Sequence, residues 1–74
     1  MTNVLPPVNS RSEFVTFLRE FRLDFEKHPE QWENLTLDRF LAAMEAWVDD
    51  ADMNASPEAW KLVQSCLLAA RIYE

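Results

Sequence analysis

The sequence predicts an all-α protein, a small three-helix bundle with a short extra helical turn between helices 1 and 2. The chain has 74 residues, room for one domain, and 49% of them are hydrophobic, which favours a packed core over disorder. It contains no glycine, the residue that tight β-hairpins prefer in their turns. Three segments repeat apolar side chains at helical spacing. We expect an extended lead-in over residues 1–9 and a single helical domain over residues 10–74.

The first helix is expected over about residues 11–28. Ser10 and Glu13 have the spacing of a capping box, in which the serine accepts a backbone N–H and the glutamate reaches back. Leu23 falls opposite the apolar stripe, so we expect it to be exposed unless another surface covers it. Pro29 ends the helix. The stripe itself, widened by Val15, consists of Phe14, Phe17, Leu18, Phe21 and Phe25.

A short helical turn is expected over residues 29–33, because proline is favoured at the first helical position and Glu30 follows it. Trp32 lies in this turn. Two interpretations stay open: Trp32 covers one end of the bundle, or it is partly exposed for binding.

The second helix is expected over about residues 37–49, with Thr36 as its N-cap. Its apolar side chains have near-ideal helical spacing and predict a core face that includes Trp47. Asp49 and Asp50 close the helix, where acids oppose the helix dipole. The core face consists of Leu37, Phe40, Leu41, Met44, Trp47 and Val48.

The third helix is expected over about residues 57–73, with Ser56 as N-cap and Pro57 at the first position. Apolar residues cover about half of its circumference, which is typical of a helix contacted on more than one side. Leu68 and Ile72 lie beyond that face and are candidates for an oligomer interface. On the face itself lie Trp60, Leu62, Val63, Cys66, Leu67, Ala70 and Tyr73.

The charge is concentrated in the middle of the chain. Residues 29–58 contain eight acidic side chains against one arginine, a net charge of −7 in a chain whose total is −6. Nucleic-acid binding requires Lys and Arg to neutralise phosphates, and anionic lipid repels acidic surfaces. We therefore expect no nucleic acid and no membrane as partners. A partner selected by long-range electrostatics would be basic.

Few residues suit catalysis. The chain has one histidine, His28, and one cysteine, Cys66, and we interpret them as a charge at a helix end and a small buried hydrophobe. Loops that bind phosphates or dinucleotides need glycines. We expect no enzyme activity, no catalytic residue, no cofactor and no metal. A lone cysteine and an N-terminus without a secretory pattern favour the cytoplasm.

One segment keeps an alternative open. From Asp50 to Glu58 every second residue has an oxygen atom in its side chain, as in an EF-hand loop. Ala55 stands where that loop needs glycine, and Lys61 stands where its last carboxylate belongs. A small cation- or ligand-binding domain that uses the Asp49–Glu58 loop is therefore the alternative function.

Three stretches carry a resemblance to a known family: Pro-Glu-Gln-Trp-Glu-Asn at residues 29–34, Leu-x-x-Phe-Leu-x-Ala-x-x-Ala-Trp at 37–47, and Ala-Ala-Arg-Ile-Tyr-Glu at 69–74. The chain resembles an uncharacterised family of small acidic bacterial proteins, a domain of unknown function. The resemblance implies a bacterial, cytoplasmic setting and no particular activity. Such proteins carry an Asp-x-Asp-Gly-Tyr-Tyr-like stretch where this chain has residues 50–54 without glycine or tyrosine.

The leading hypothesis is a non-catalytic protein–protein interaction module. Its partner would be a second copy, giving a homodimer, or a basic protein, with an immunity-like protein that masks a basic toxin as the sharper form. The candidate surface combines the acidic segment with apolar residues outside the core stripes: Leu23, Trp32, Glu45, Asp49, Asp50, Asp52, Leu68 and Ile72.

Overall fold

A computed structural model describes residues 7–51 and 54–73. It contains helix α1 (Arg11–Lys27), a 3₁₀ turn (Pro29–Gln31), helix α2 (Leu37–Asp50) and helix α3 (Pro57–Ala70). Within those described ranges there is no β-strand. The predicted fold class, all-α with three helices and a short turn between the first two, is confirmed.

The chain divides into two compact units, Met1–Ala43 and Met44–Glu74. The first holds α1, the 3₁₀ turn and the start of α2. The second holds the rest of α2 and α3. The single domain over residues 10–74 and the extended lead-in over residues 1–9 stay predictions, and residues 1–6 lie outside the described part.

The start of α1 follows from its sequence. The Glu13 N–H donates to Ser10 Oγ at 3.1 Å, so Ser10 is the N-cap, as predicted. Glu13 Oε1 accepts the Asn9 N–H at 2.6 Å, one residue earlier than in a standard capping box. The helix ends at Lys27, one residue earlier than predicted, because His28 before Pro29 leaves the helical region, with φ −132° and ψ 53°.

The other two helices also begin at a hydroxyl cap. The Arg39 N–H donates to Thr36 Oγ1 at 3.1 Å, and the Ala59 N–H donates to Ser56 Oγ at 3.2 Å. Each cap satisfies one of the N–H groups that have no partner within the helix, typically about 1 kcal/mol of stability.

The end of α3 differs from the prediction. The helix stops at Ala70 rather than continuing to Tyr73. The Ile72 and Tyr73 N–H groups both donate to the Ala69 carbonyl, at 3.2 and 2.9 Å. Two donors on one carbonyl tighten the last turn, a common way for a helix to finish.

Five aromatic side chains pack together in the first unit. The centre of the Trp32 ring lies 4.8 Å from that of Phe21, 5.1 Å from that of Phe25 and 6.0 Å from that of Phe40. Phe17 extends the cluster along α1, 5.3 Å from Phe21. We call these five side chains the aromatic cluster. It joins α1, the segment after the 3₁₀ turn and the first turn of α2.

Candidate interaction surface

Trp32 contacts three of the other four members of the aromatic cluster. It is half-buried, and its Nε1–H donates to Asp24 Oδ2 at 2.8 Å. The ring packs against α1 and α2 while the polar edge is satisfied by a carboxylate, as a partly buried tryptophan requires. Sequence reasoning missed the role of Asp24. The only signal was an acid on the flank of the phenylalanine stripe, and it becomes meaningful once the tryptophan is placed.

Leu23, on the opposite side of α1 from the phenylalanine stripe, is half-buried rather than exposed. Leu23 is thus partly covered, which is the case that the expectation of an exposed Leu23 left open. Arg19 and Lys27 are its neighbours one turn away in each direction, and the aliphatic stems of such side chains cover apolar surface on a helix.

The acidic side chains of α2 are exposed. Glu45 and Asp49 are four residues apart and so lie one above the other on the helix surface. Asp49 and Asp50 close a helix whose last turn has no basic residue, an arrangement that costs about 0.3–1 kcal/mol per exposed acid. Asp52 lies outside the described residues.

No ion pair involves these acids in the part of the chain that the structure describes. The pair that it shows joins His28 Nδ1 to Glu30 Oε2 at 3.7 Å, between two exposed side chains. The acids of α2 therefore carry their charge into solvent.

The apolar face of α3 is exposed. The exposed fraction is 68% for Leu62, 41% for Val63 and 46% for Leu67. Beyond that face, Leu68 is 50% exposed, and Ile72, after the end of the helix, is 72% exposed. Cys66, expected as a buried hydrophobe, is exposed as well, and so are Trp47 (61%) and Trp60 (38%), both expected in the core. These three expectations are wrong, because helical periodicity predicts which side of a helix is apolar and not what covers that side.

Across the described ranges 7–51 and 54–73, no side chain is fully buried. The predicted surface residues fall into local groups. Leu23 and Trp32 lie in the first unit. Glu45, Asp49 and Asp50 lie in the second half of α2, Leu68 lies in the last turn of α3, and Ile72 lies two residues after the end of that helix.

Further exposed apolar residues were not predicted as surface. Val15 and Leu18 on α1 are 46% and 47% exposed, and Leu41 on α2 is 40% exposed. Sequence reasoning assigned them to core stripes. The available signal was the charged neighbours one turn away, since arginines flank the α1 pair and acids flank Leu41.

A groove of about 380 Å³ runs along the start of α1. Val8 and Phe17 give it an apolar part, and Glu13 and Glu20 contribute two carboxylates. Glu13 is already engaged by the Asn9 N–H.

Among the described residues, no three His, Cys, Asp or Glu side chains are grouped to hold a metal ion. The Asp49–Glu58 loop contains residues 52 and 53, which are outside that set, so cation binding there stays a prediction. None of the described helices has the length and apolar character needed to cross a membrane.

Comparison with known proteins identifies the family. Neither the curated proteins nor the solved structures include a match to this chain. The family described as "Family of unknown function (DUF7660)" matches residues 10–74. The match begins at the N-cap of α1 and includes all three helices and the 3₁₀ turn. The chain therefore belongs to an uncharacterised domain family, the family of unknown function DUF7660.

Proposed function

We propose that this protein is a non-catalytic protein–protein interaction module whose contact surface includes the apolar side of α3 and the acidic end of α2. Its partner is a basic protein or a second copy of the chain. The absence of catalysis is part of the proposal, which the sequence supports by offering one histidine and one cysteine in all.

The exposed apolar side of α3 carries the proposal. Four large apolar side chains on that side of the 14-residue helix are 38–68% exposed: Trp60, Leu62, Val63 and Leu67. Leu68, beyond that side, is 50% exposed. Monomeric proteins rarely expose contiguous apolar patches larger than a few hundred Å². Full burial of a large apolar side chain contributes about 1.5–3 kcal/mol, and covering one that is already partly buried contributes the corresponding part of that value. A protein partner that covers this side of α3 gains that free energy.

The acids of α2 support a partner with basic side chains. Glu45, Asp49 and Asp50 are exposed, and helix stability does not explain acids at the C-terminal end of a helix. Complementary charge raises the association rate and excludes wrong partners more than it raises affinity. In the sharper form of this proposal, the protein is immunity-like and its acids mask the basic site of a toxin.

The experiment compares Leu67→Asp, on the apolar side of α3, with Ser65→Asp, which adds the same charge about 160° away around the helix. Each purified chain is immobilised and exposed to a lysate of the source organism, and the retained protein is purified and its complex measured by light scattering. We expect wild type and Ser65→Asp to form the complex and Leu67→Asp to lose it, with equal helical content by circular dichroism.

Two results would contradict the proposal. One is a Leu67→Asp chain that remains monomeric but melts at a markedly lower temperature than Ser65→Asp, because Leu67 would then pack inside its own chain. The other is a salt-insensitive monomer that retains no protein. The immunity-like form adds a growth test: rescue from a co-encoded toxin should be lost when Asp49, Asp50 and Asp52 are changed to Asn.

A further inference from the structure

One flank of α1 combines arginines with apolar side chains. Arg11, Val15, Leu18 and Arg22 follow one another at helical spacing and fall within about 60° of arc. All four are exposed, with Val15 at 46% and Leu18 at 47%. We call these four residues the arginine stripe. In a chain of net charge −6, it is a local surface of the opposite sign.

The arginine stripe adjoins the aromatic cluster without being covered by it. Arg22 lies about 100° around the helix from Phe21, and Phe21 is the side chain that packs on Trp32. The packing of the cluster thus fixes the orientation of α1 and leaves the stripe in solvent.

One flank of α2 has the complementary pattern. Asp38, Leu41, Glu45 and Asp49 fall within about 80° of arc. All four are exposed, and Leu41 is 40% exposed. We call these residues the acidic stripe. Within the described part of the chain, none of its carboxylates pairs with an arginine.

The two stripes match in length and in order. Each runs over eleven residue steps, Arg11 to Arg22 and Asp38 to Asp49, or about 16 Å at the rise of an α-helix. Each has charges of one sign at both ends. Between those ends α1 has Val15 and Leu18, and α2 has Leu41 and Glu45. Helices laid side by side in either direction would place arginine against aspartate at both ends, with Leu41 and Glu45 facing Val15 and Leu18 between them.

We propose that the arginine stripe of one copy docks on the acidic stripe of a second copy, and reciprocally, so that the chain forms a two-fold symmetric dimer. This inference rests on the proposed function and names the partner. One chain carries both stripes, so a single symmetric contact satisfies both. Arginine pairs well with carboxylates because its planar fork can donate two hydrogen bonds, and Leu41 packs on the apolar side chains of α1 between the two ends.

The test reverses the charges at both ends of one stripe. One variant carries Arg11→Glu and Arg22→Glu, and the other carries Asp38→Arg and Asp49→Arg. Sedimentation velocity measures the self-association of wild type, of each variant and of their equimolar mixture. We expect each variant alone to raise the dissociation constant about tenfold or more, because attraction becomes repulsion in both symmetric contacts.

The equimolar mixture is the decisive sample. A mixed dimer pairs reversed stripe with reversed stripe in one contact and native with native in the other. We expect it to form with near-wild-type affinity. Mixing cannot restore an ion pair that forms within one chain, so a recovered dimer also shows that both variants are folded.

Controls carry equal charge changes elsewhere. Lys27→Glu with Lys61→Glu matches the arginine variant, and Glu20→Arg with Glu33→Arg matches the acidic-stripe variant. All four positions are exposed and lie off the stripes, so dimerisation should be retained. If net charge alone determined self-association, the acidic-stripe variant would self-associate best instead of losing the dimer. Its two acid-to-arginine changes raise the net charge from −6 to −2, which lowers the repulsion between copies.

Three results would overturn the inference: a wild type that stays monomeric, variants that dimerise as wild type does, or a mixture that stays monomeric while wild type dimerises. The proposed function fails separately. If wild type is monomeric but α3 binds a protein that Leu67→Asp releases, the dimer is wrong and the interaction module stands. If neither association occurs, both are wrong.

Discussion

Trp32 should contribute more to stability than any other tryptophan in the chain. The substitution Trp32→Ala removes the ring that lies 4.8–6.0 Å from Phe21, Phe25 and Phe40, together with its hydrogen bond to Asp24. Each aromatic pair is worth about 0.5–1.5 kcal/mol beyond area burial. Truncating a fully buried Trp costs about 3–5 kcal/mol.

Because Trp32 is half-buried, we place the loss for Trp32→Ala at about 2–3 kcal/mol, below the range for full burial. The more conservative Trp32→Phe keeps an aromatic ring and removes the N–H donor. Its expected cost is about 1 kcal/mol, since a hydrogen bond to a charged acceptor is worth about 1.5–3 kcal/mol and partial exposure reduces that value. A small domain has only about 3–5 kcal/mol in total, so Trp32→Ala should be close to unfolded at room temperature.

Urea unfolding followed by far-ultraviolet circular dichroism measures the loss of stability in each variant. The loss is given by the shift in the midpoint urea concentration when the m-value is unchanged. The matched control is Trp47→Ala, because Trp47 is 61% exposed on α2 and its ring packs on no other aromatic ring among the described residues. We expect that control to cost less than about 1 kcal/mol, as exposed substitutions generally do. If Trp32→Ala cost no more than Trp47→Ala, the aromatic cluster would not be the stabilising centre of the first unit.

Three further predictions concern the helix ends. Ser56→Ala should lower the free energy of unfolding by about 1 kcal/mol, because the Ala59 N–H loses its acceptor; Ser65→Ala, in the middle of α3, should not lower it in the same urea titration, because alanine is the better helix former. Ser10→Ala should cost a similar amount and shorten α1 by its first turn, which amide hydrogen exchange near residue 13 would detect; equal protection in both chains would contradict the cap. Asp50→Asn should stabilise α2 by about 0.3–1 kcal/mol, because it removes a charge that opposes the dipole; a lower melting temperature would show that the Asp50 carboxylate has a stabilising contact.

The helix starts could be predicted from the sequence because the physics is local. A cap needs one hydroxyl and an N–H three residues later, and Ser10, Thr36 and Ser56 each supply that bond. Proline after a helix is equally local, which is why the end of α1 was wrong by only one residue. The end of α3 has no such signal, and its boundary was wrong by three residues.

The environment of each helix face could not be predicted in the same way. Periodicity correctly places Phe21 and Phe40 on inward faces, since both pack on Trp32. The same periodicity places Trp47 and Leu18 in a core, yet both are exposed. Burial depends on which surfaces meet, and those contacts join residues distant in the sequence. Asp24 shows the same limit, because its hydrogen bond depends on where the turn after α1 places the indole.

The candidate surface was therefore predicted in its acidic part and incompletely in its apolar part. Exposed acids on α2 follow from their spacing and from their conflict with the helix dipole. The exposed Val15 and Leu18 were missed because a residue beside a core stripe looks like part of that stripe. Their arginine neighbours one turn away distinguish them in retrospect.

The molar mass of the wild-type chain in solution tests the central claim most directly, because that claim is that the exposed helix faces are covered by another protein chain. Light scattering over a dilution series gives this mass. A dimer at twice 8.7 kDa that dissociates on dilution is the predicted result, with dissociation enhanced by salt because arginine–carboxylate pairs are screened. A mass of 8.7 kDa at every concentration, unchanged by salt and by added lysate protein, would contradict the claim.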